Sequence, residues 1–164
     1  MFASLAWPGR MLTASCDISP VAVEEARKRG IYDRVDLCDA SQTLPYSDKS
    51  FDLVFNNSGL EHIQDIRITL TQIARVLKPG GVLAFNVLNH RYFEWWPLDD
   101  KAKRAYMVWQ PFHHALSLSE WKRLLSEVGL AVESVAGYFD RASARVLARL
   151  DYDLSGMFLG HRRS

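Results

Sequence analysis

Several features that mark particular classes of protein are scarce or missing in this sequence. There are two cysteines in 164 residues, Cys16 and Cys38, which excludes a disulfide framework and predicts that both thiols stay reduced. No apolar run approaches the roughly 18 residues of a membrane span. Residues 1–10 lack the basic region of a secretion signal. These absences predict a cytoplasmic protein with no membrane partner.

An excess of charge of either sign is also missing. The 20 Lys and Arg residues against 19 Asp and Glu residues leave a formal charge of +1, so no overall field attracts nucleic acid. The histidines and cysteines show no HxxxH or CxxC spacing. We therefore predict no nucleic-acid partner and no metal site, and expect partners to be recognised by shape and local chemistry.

The sequence does contain an alternation of short apolar runs and amphipathic helices. Its length and its apolar content of 48% predict a single domain over residues 1–164. Because buried strands alternate with helices, we predict an α/β fold with a Rossmann-like, mostly parallel sheet and helices on both faces. The predicted strands are the run ending at residue 17 and residues 35–38, 51–55, 82–88, 130–135 and 154–160, and the predicted helices are 20–29, 66–77, 117–128 and 141–150.

The first three predicted strands each end at, or run directly into, a polar side chain. These side chains are Asp17, Asp39 and Asn56, in chain order. In open parallel sheets, ligands bind outside the carboxyl ends of the strands. A carboxylate there can accept both hydroxyls of a ribose, since it offers two acceptor oxygens and no donor. The alternative is that each Asp only forms a turn or caps a helix.

Four segments stand out together: CDIS at 16–19, DASQTLPYSDKSFDLVFNNSGLEHI at 39–63, ARVLKPGGVLAFNV at 74–87 and SLSEWKRLLSEVGLAVESV at 117–135. In this order and spacing they resemble successive motifs of class I S-adenosylmethionine-dependent methyltransferases. The resemblance covers roughly residues 12–138. It implies S-adenosyl-L-methionine as the cofactor and a small molecule as the methyl acceptor.

The resemblance also implies a role for each polar strand end. Asp17 is similar to the acid that holds the ribose hydroxyls of the cofactor, and Ile18 to the residue that packs on its adenine. Asp39 is similar to the acid that accepts a hydrogen bond from the adenine amino group, with the backbone of Ala40 beside it. The residues similar to those beside the methionine portion and its methyl group are Asn56, Asn57 and Ser58.

His62 follows the third strand end, on the side where the resemblance places the substrate. A neutral imidazole there could take a proton from a hydroxyl nucleophile, which makes His62 the candidate catalytic residue. The alternative is that His62 only forms structural hydrogen bonds, as most histidines do.

An aromatic-rich segment separates the strand at 82–88 from the helix at 117–128. Residues 92–112 hold seven of the chain's aromatic side chains, which number 8 Phe, 5 Trp and 6 Tyr. We predict a cap insertion at about 89–116 in which Arg91, Trp95 and Trp109 contact an apolar or planar substrate that carries an acidic group. The alternative is that the rings only pack the cap or bury a subunit contact.

The sequence departs from the family pattern before Asp17. The family begins with a strand, a glycine-rich turn and a helix, whereas Gly9 is the single glycine before Asp17 and residues 1–7 resemble at most the end of that helix. The missing strand would be the central one, between those ending at Asp17 and Asn56. An unfilled slot exposes unpaired backbone, so we expect association with a second copy or a partner chain. The alternative to an enzyme is a non-catalytic methyltransferase-like module, or a truncated fragment, that assembles in this way.

Overall fold

The computed structural model describes residues 12–109, 111–137 and 140–158, with only the backbone described for Trp109 and for 151–158. These residues form two compact units. The first contains residues 12–54 and 65–83, and the second contains 55–64 and the described residues from 84 onward. In chain order the elements are β1 (Leu12–Asp17), α1 (Pro20–Arg29), β2 (Tyr32–Leu37), β3 (Phe51–Asn57), a short 3-10 turn (Leu60–His62), α2 (Ile66–Val76), β4 (Leu77–Asn86), α3 (Tyr92–Trp95), α4 (Asp100–Trp109), α5 (Leu118–Glu127) and α6 (Arg141–Phe158).

The first unit begins with a strand, a helix and a second strand. The side chain of Ser19 accepts a hydrogen bond from a backbone N–H in the first turn of α1, and Pro20 lies in that turn. The helix ends at Gly30, whose φ of +64° lies in the left-handed region that favours glycine. β1 and β2 pair in parallel. The predicted strand–helix–strand unit is confirmed, and α1 has the predicted bounds.

α2 packs into the first unit through one apolar stripe. Ile66, Leu70 and Ile73 are buried at the predicted helical spacing, and Val76 continues the buried stripe, whereas the predicted last member, Leu77, is the first residue of β4. The helix ends at Val76, and the chain passes directly into β4. Strand and helix are therefore connected here without a loop.

β3 and β4 pair with each other in a two-stranded sheet that is separate from the β1–β2 sheet. β4 begins at Leu77, before the predicted start at residue 82. A Cβ on Gly81 would stand 3.2 Å from the carbonyl oxygen of Phe51 and 2.9 Å from that of Lys78, so glycine is required for this close approach. The KPGG segment is thus extended chain against β3. The predicted α/β class is confirmed, with the described strands divided between two sheets.

The second unit is mostly helical and has an aromatic core. Trp96 and Tyr106 are buried together with Ala148 of α6, and partly buried rings such as Phe93 and Phe112 pack against them. The ring centroids of Trp96 and Tyr106 are 4.5 Å apart at an interplanar angle of 73°, close to edge-to-face. The aromatic segment therefore packs a core of its own, which leaves its substrate role a prediction.

α5 confirms the predicted capped helix. Ser117 accepts a hydrogen bond from the backbone of Glu120, whose carboxylate accepts one in return from the backbone of Ser117. Trp121, Leu124 and Leu125 form its buried face. Through this face the helix packs into the second unit. The rings of Trp121 and Phe85 are in contact there, with centroids 5.3 Å apart.

Two predicted strands are wrong. Residues 130–135 are described but form no strand, because a strand needs a hydrogen-bonding neighbour, and the exposed Val135 shows no packing that would hold one. Residues 154–158 belong to α6, which continues the helix that was predicted to end at residue 150. A short apolar run does not distinguish a strand from a helix by periodicity, and α6 continues through this run without a break.

Residues 1–11 lie outside the described residues, and so does the predicted helix remnant at 1–7. Within the described part of the chain, no helix is both long and apolar enough to cross a bilayer. Nor do three or more His, Cys, Asp or Glu side chains of that part cluster as metal ligands would.

Candidate functional site

The parallel ends of β1 and β2 place two acidic side chains on neighbouring strands. The backbone N–H of Cys38 donates to the carbonyl of Asp17 at 3.0 Å, so Asp39 follows directly beside the end of β1. Oδ1 of Asp17 accepts the N–H of Ser19 at 2.8 Å. Oδ1 of Asp39 accepts the N–H of Ser41 at 2.8 Å and its hydroxyl at 2.7 Å. These bonds use one oxygen of each carboxylate and fix both groups at the strand ends.

The hydrogen bonds from Ser41 also set the charge of Asp39. The hydroxyl of Ser41, and then its backbone N–H, hold the pKa of Asp39 below the ordinary value of an aspartate. Asp39 is therefore ionised at neutral pH and acts as an acceptor only. An acceptor-only group is suited to a ligand that presents N–H or O–H donors.

The residues after the two acids occupy the same end of the β1–β2 pair. Ile18 is 68% exposed, so its apolar side chain is available to cover a flat ligand. The carbonyl of Ala40 accepts the hydroxyl of the buried Thr69 at 2.9 Å, which ties the Asp39 loop to α2. The structure thus brings four predicted cofactor residues, Asp17, Ile18, Asp39 and Ala40, to one end of one sheet in the first unit.

Asn56 shapes the turn that follows β3. Its Oδ1 accepts the backbone N–H groups of Gly59 and Leu60, both at 3.1 Å. A Cβ on Gly59 would stand 2.8 Å from Nδ2 of Asn56, so a side chain at this position would displace the amide of Asn56. The side chain of Asn56 is therefore a turn former here, and its contact with a cofactor stays a prediction.

Ser58 adopts a backbone conformation that is rare for a side chain other than glycine. Its φ is +51°, and its N–H donates to the carbonyl of Asn86 at 3.2 Å and to the side-chain Oδ1 of Asn86 at 2.9 Å. Nδ2 of Asn86 donates in turn to the Ser58 hydroxyl at 3.3 Å. β4 therefore positions Ser58, and both Ser58 and the neighbouring Asn57 are exposed.

His62 is held in one orientation by the segment around Pro111. Its Nδ1 lies 2.8 Å from the carbonyl oxygen of Pro111. Because a carbonyl oxygen only accepts, Nδ1 carries the proton, and the neutral ring has its lone pair on Nε2. The ring also packs against Phe112, with centroids 4.5 Å apart. A neutral imidazole in this tautomer can accept a proton through Nε2.

Glu61, next to His62, is a buried acid without a partner. Its side chain is fully buried, and neither carboxyl oxygen has a hydrogen-bond partner among the described residues. Burial raises the pKa of this carboxyl, and the nearby backbone N–H groups of Glu61 and Leu88 oppose the rise only in part. The backbone of Glu61 is fixed, since its carbonyl accepts the N–H groups of His113 and His114 at 2.9 and 3.2 Å.

A cavity of about 270 Å³ opens beside this turn, within the second unit. Its size fits a small ligand. The residues that line it are Ser58, Glu61, His62, Leu88, Tyr92, Tyr106 and Phe112. Among the described residues of its wall, none is a lysine or an arginine.

The cavity contains part of the predicted site. Ser58 and His62 line it, whereas Arg91 is exposed and forms an ion pair with Glu94 at 2.9 Å. Trp95 is half-buried and is not part of the cavity wall. The side chain of Trp109 lies outside the described residues. The substrate contacts of these three residues stay predictions.

Sequence reasoning placed Glu61 beside His62, on the side where the resemblance places the substrate, but gave it no role in the site. The available signal was its position between Leu60 and His62, shortly after a predicted strand end. The cavity rings of Tyr92 and Tyr106 were part of the predicted cap but had no role assigned. Only the tertiary fold shows which rings of an aromatic segment face a cavity.

Comparisons with known proteins bear on the chain as a whole. The sequence model of the family described as "Methyltransferase domain" matches residues 2–85, just over half of the chain. The 27-O-demethylrifamycin SV methyltransferase of Amycolatopsis mediterranei is 36% identical over 132 residues, which covers 76% of this chain and 47% of that protein. The chain spans about half the length of the curated relatives it matches.

Solved structures share the fold. The YcgJ protein of Bacillus subtilis is 22% identical, and the match covers 99% of this chain and 74% of that chain with a TM-score of 0.65. Phosphoethanolamine N-methyltransferase 2 of Haemonchus contortus, in complex with S-adenosyl-L-methionine, is 21% identical, and the match covers 99% and 37% with a TM-score of 0.64. At these identities the likeness concerns the fold alone.

Proposed function

We propose a methyl transfer reaction for this chain, which belongs to the class I S-adenosylmethionine-dependent methyltransferases. The observation that carries the proposal is the pair of acids at the neighbouring parallel ends of β1 and β2, Asp17 and Asp39. Two carboxylates at adjacent strand ends match the donors of an adenosine group, which offers two ribose hydroxyls and one amino group. The matched methyltransferase family supports the same chemistry.

S-adenosyl-L-methionine, when bound, supplies an electrophilic methyl group on its sulfonium. In the first unit, Asp17 would accept the ribose hydroxyls and Asp39 the adenine amino group. Ile18 would cover the adenine, with the backbone of Ala40 beside it. These side chains fit the cofactor, since both acids are fixed by local turns and Ile18 is exposed. A role of Asn56, Asn57 and Ser58 beside the methionine portion is proposed on the family resemblance alone.

The acceptor in this proposal is a small molecule that binds in the cavity of the second unit. Ser58 and His62 line that cavity, and His62 has the tautomer of a base with its lone pair on Nε2. His62 would take the acceptor's proton, and the surrounding rings would exclude water from the nucleophile. Alignment of the nucleophile is the remaining task of the protein.

Calorimetric titration with S-adenosylhomocysteine tests the cofactor assignment. Asp17→Asn keeps an oxygen for the N–H of Ser19 but removes the charge that would hold the ribose hydroxyls. The loss of a charged hydrogen-bond partner costs about 1.5–3 kcal/mol, so we expect roughly ten- to hundredfold weaker binding. Asp33→Asn, an exposed acid of β2, is the matched control with unchanged affinity. Equal affinity of wild type and Asp17→Asn would remove the ribose assignment.

A second candidate function is assembly, with the chain as a non-catalytic module. The division of the described strands into two two-stranded sheets favours it, because each sheet then has strand edges without a partner strand. A partner chain or a second copy that pairs with the edge of β1 or β3 would satisfy those backbone groups. Absence of S-adenosylhomocysteine binding together with stable association would favour this candidate.

A further inference from the structure

The wall of the cavity in the second unit contains an acid but no opposite charge. Glu61 has two carboxyl oxygens that are sealed from water and lack a hydrogen-bond partner among the described residues. No lysine or arginine belongs to the described wall, and Arg91 is exposed and paired with Glu94. A buried carboxylate without a partner is unfavourable, and a nearby cation relieves that cost even without contact, because the interior screens charge weakly.

The rest of the wall also favours a cation. Tyr106 and Phe112 have nearly parallel rings, at 14° with centroids 6.2 Å apart, and Tyr92 is the third aromatic residue of the wall. Aromatic faces attract a cation positioned over them. A carboxylate or phosphate in the cavity would instead lie near Glu61, an acid with no lysine or arginine beside it in the described wall.

The wall therefore combines a buried acid with aromatic side chains, and none of its described residues is a lysine or an arginine.

We infer that this cavity binds the ammonium group of a small primary or secondary amine. The inference that an amine binds is drawn from the residues of the cavity wall. The further statement that this amine is the methyl acceptor rests on the proposed function. The inference differs from the expectation of an acidic substrate group, which depended on Arg91.

Three probes that differ in one end group test the inference on the wild-type chain: 2-phenylethylamine, 2-phenylethanol and 3-phenylpropionate. Binding is followed by NMR line shifts of the protein without any cofactor. We expect the amine to bind at least about tenfold more tightly than the alcohol, and the acid to bind most weakly. An amine that binds no more tightly than the alcohol, including the case in which none of the three binds at millimolar concentration, overturns the inference.

The variant Glu61→Gln tests whether Glu61 causes the preference for the amine. We expect it to abolish the advantage of the amine over the alcohol, while Glu133→Gln, the same change at an exposed position of the second unit, preserves it. Because burial raises the pKa of Glu61, the Gln variant is expected to unfold at the same or a higher temperature at neutral pH, which separates lost binding from lost folding. A preference that persists in a folded Glu61→Gln protein contradicts the inference.

The cofactor titration separates this inference from the proposed function. If the amine binds but S-adenosylhomocysteine does not, the proposed function fails and the cavity assignment stands. If S-adenosylhomocysteine binds but the amine binds no more tightly than the alcohol, the cavity assignment fails and the proposed function stands.

Discussion

Glu61 and His62 are neighbours in the chain but have different environments. Glu61 is fully buried without a partner among the described residues, whereas His62 is half-buried and has its Nδ1 proton fixed by Pro111. An unpartnered acid is costly in the fold, and a histidine with a fixed tautomer is prepared for proton transfer. At the residue scale, the clearest functional test therefore concerns His62.

His62→Ala should lower the rate of methyl transfer more than it lowers cofactor affinity. A positioned base contributes about 10²- to 10⁴-fold, so we expect at least the smaller loss at saturating cofactor, measured as S-adenosylhomocysteine formation with an acceptor that supports turnover. His113→Ala is the matched control, because the structural bond of His113 comes from its backbone N–H. A near-normal rate with a normal pH profile would assign His62 to structure.

At the element scale, α5 depends on the hydrogen bonds at its first turn. The hydroxyl of Ser117 accepts the N–H of Glu120 at 3.4 Å, and Oε2 of Glu120 accepts the N–H of Ser117 at 2.8 Å. The buried face of Trp121, Leu124 and Leu125 needs this helix to begin at a fixed residue. Loss of the cap should therefore weaken the packing of the helix as well as its end.

Ser117→Ala should destabilise the protein by about 0.5–2 kcal/mol, the usual cost of losing an N-cap, as measured by chemical unfolding. Ser126→Ala, later in the same helix, is the control and should be neutral or slightly stabilising.

The loss of stability caused by Ser117→Ala should also depend on pH. The Ser117 hydroxyl, and then its backbone N–H, lower the pKa of Glu120. The stabilisation of the folded state by these hydrogen bonds to the Glu120 carboxylate is therefore complete above the ordinary pKa of a glutamate. It is lost as the pH falls through the lowered pKa of Glu120. An equal effect of Ser117→Ala at neutral and at strongly acidic pH would contradict this explanation.

At the scale of the whole molecule, the open strand edges are the main structural feature. β1 and β2 form one sheet and β3 and β4 another among the described residues, so each sheet has edges that could accept a further strand. Backbone groups at such edges favour pairing with another chain.

We expect the chain to associate with itself at micromolar concentration, through the edge of β1 or of β3. Light scattering coupled to size-exclusion chromatography measures the mass, and hydrogen exchange at rising concentration should show slower exchange in the strand involved. The control is the exchange of α5 amides, which should not depend on concentration. A strictly monomeric species with a cooperative melt and concentration-independent exchange in β1 and β3 would contradict the prediction.

The sequence by itself determined the local elements whose signals are short-range. Ser19 and Gly30 set the ends of α1, Ser117 began α5, and the stripe from Ile66 gave α2. The order of four motifs also indicated the family. Capping and periodicity are properties of neighbouring residues, so one sequence is enough to read them.

Only the tertiary structure decided the remaining features. It showed no strand at 130–135, joined 154–158 to α6, buried Glu61 without a partner among the described residues, and selected Tyr92 and Tyr106 from the aromatic segment as cavity residues. A strand needs a neighbouring strand to supply its hydrogen bonds, and burial depends on which distant segments cover a side chain. Such partners are brought together by the fold and are not neighbours in the sequence, so the local pattern does not contain them.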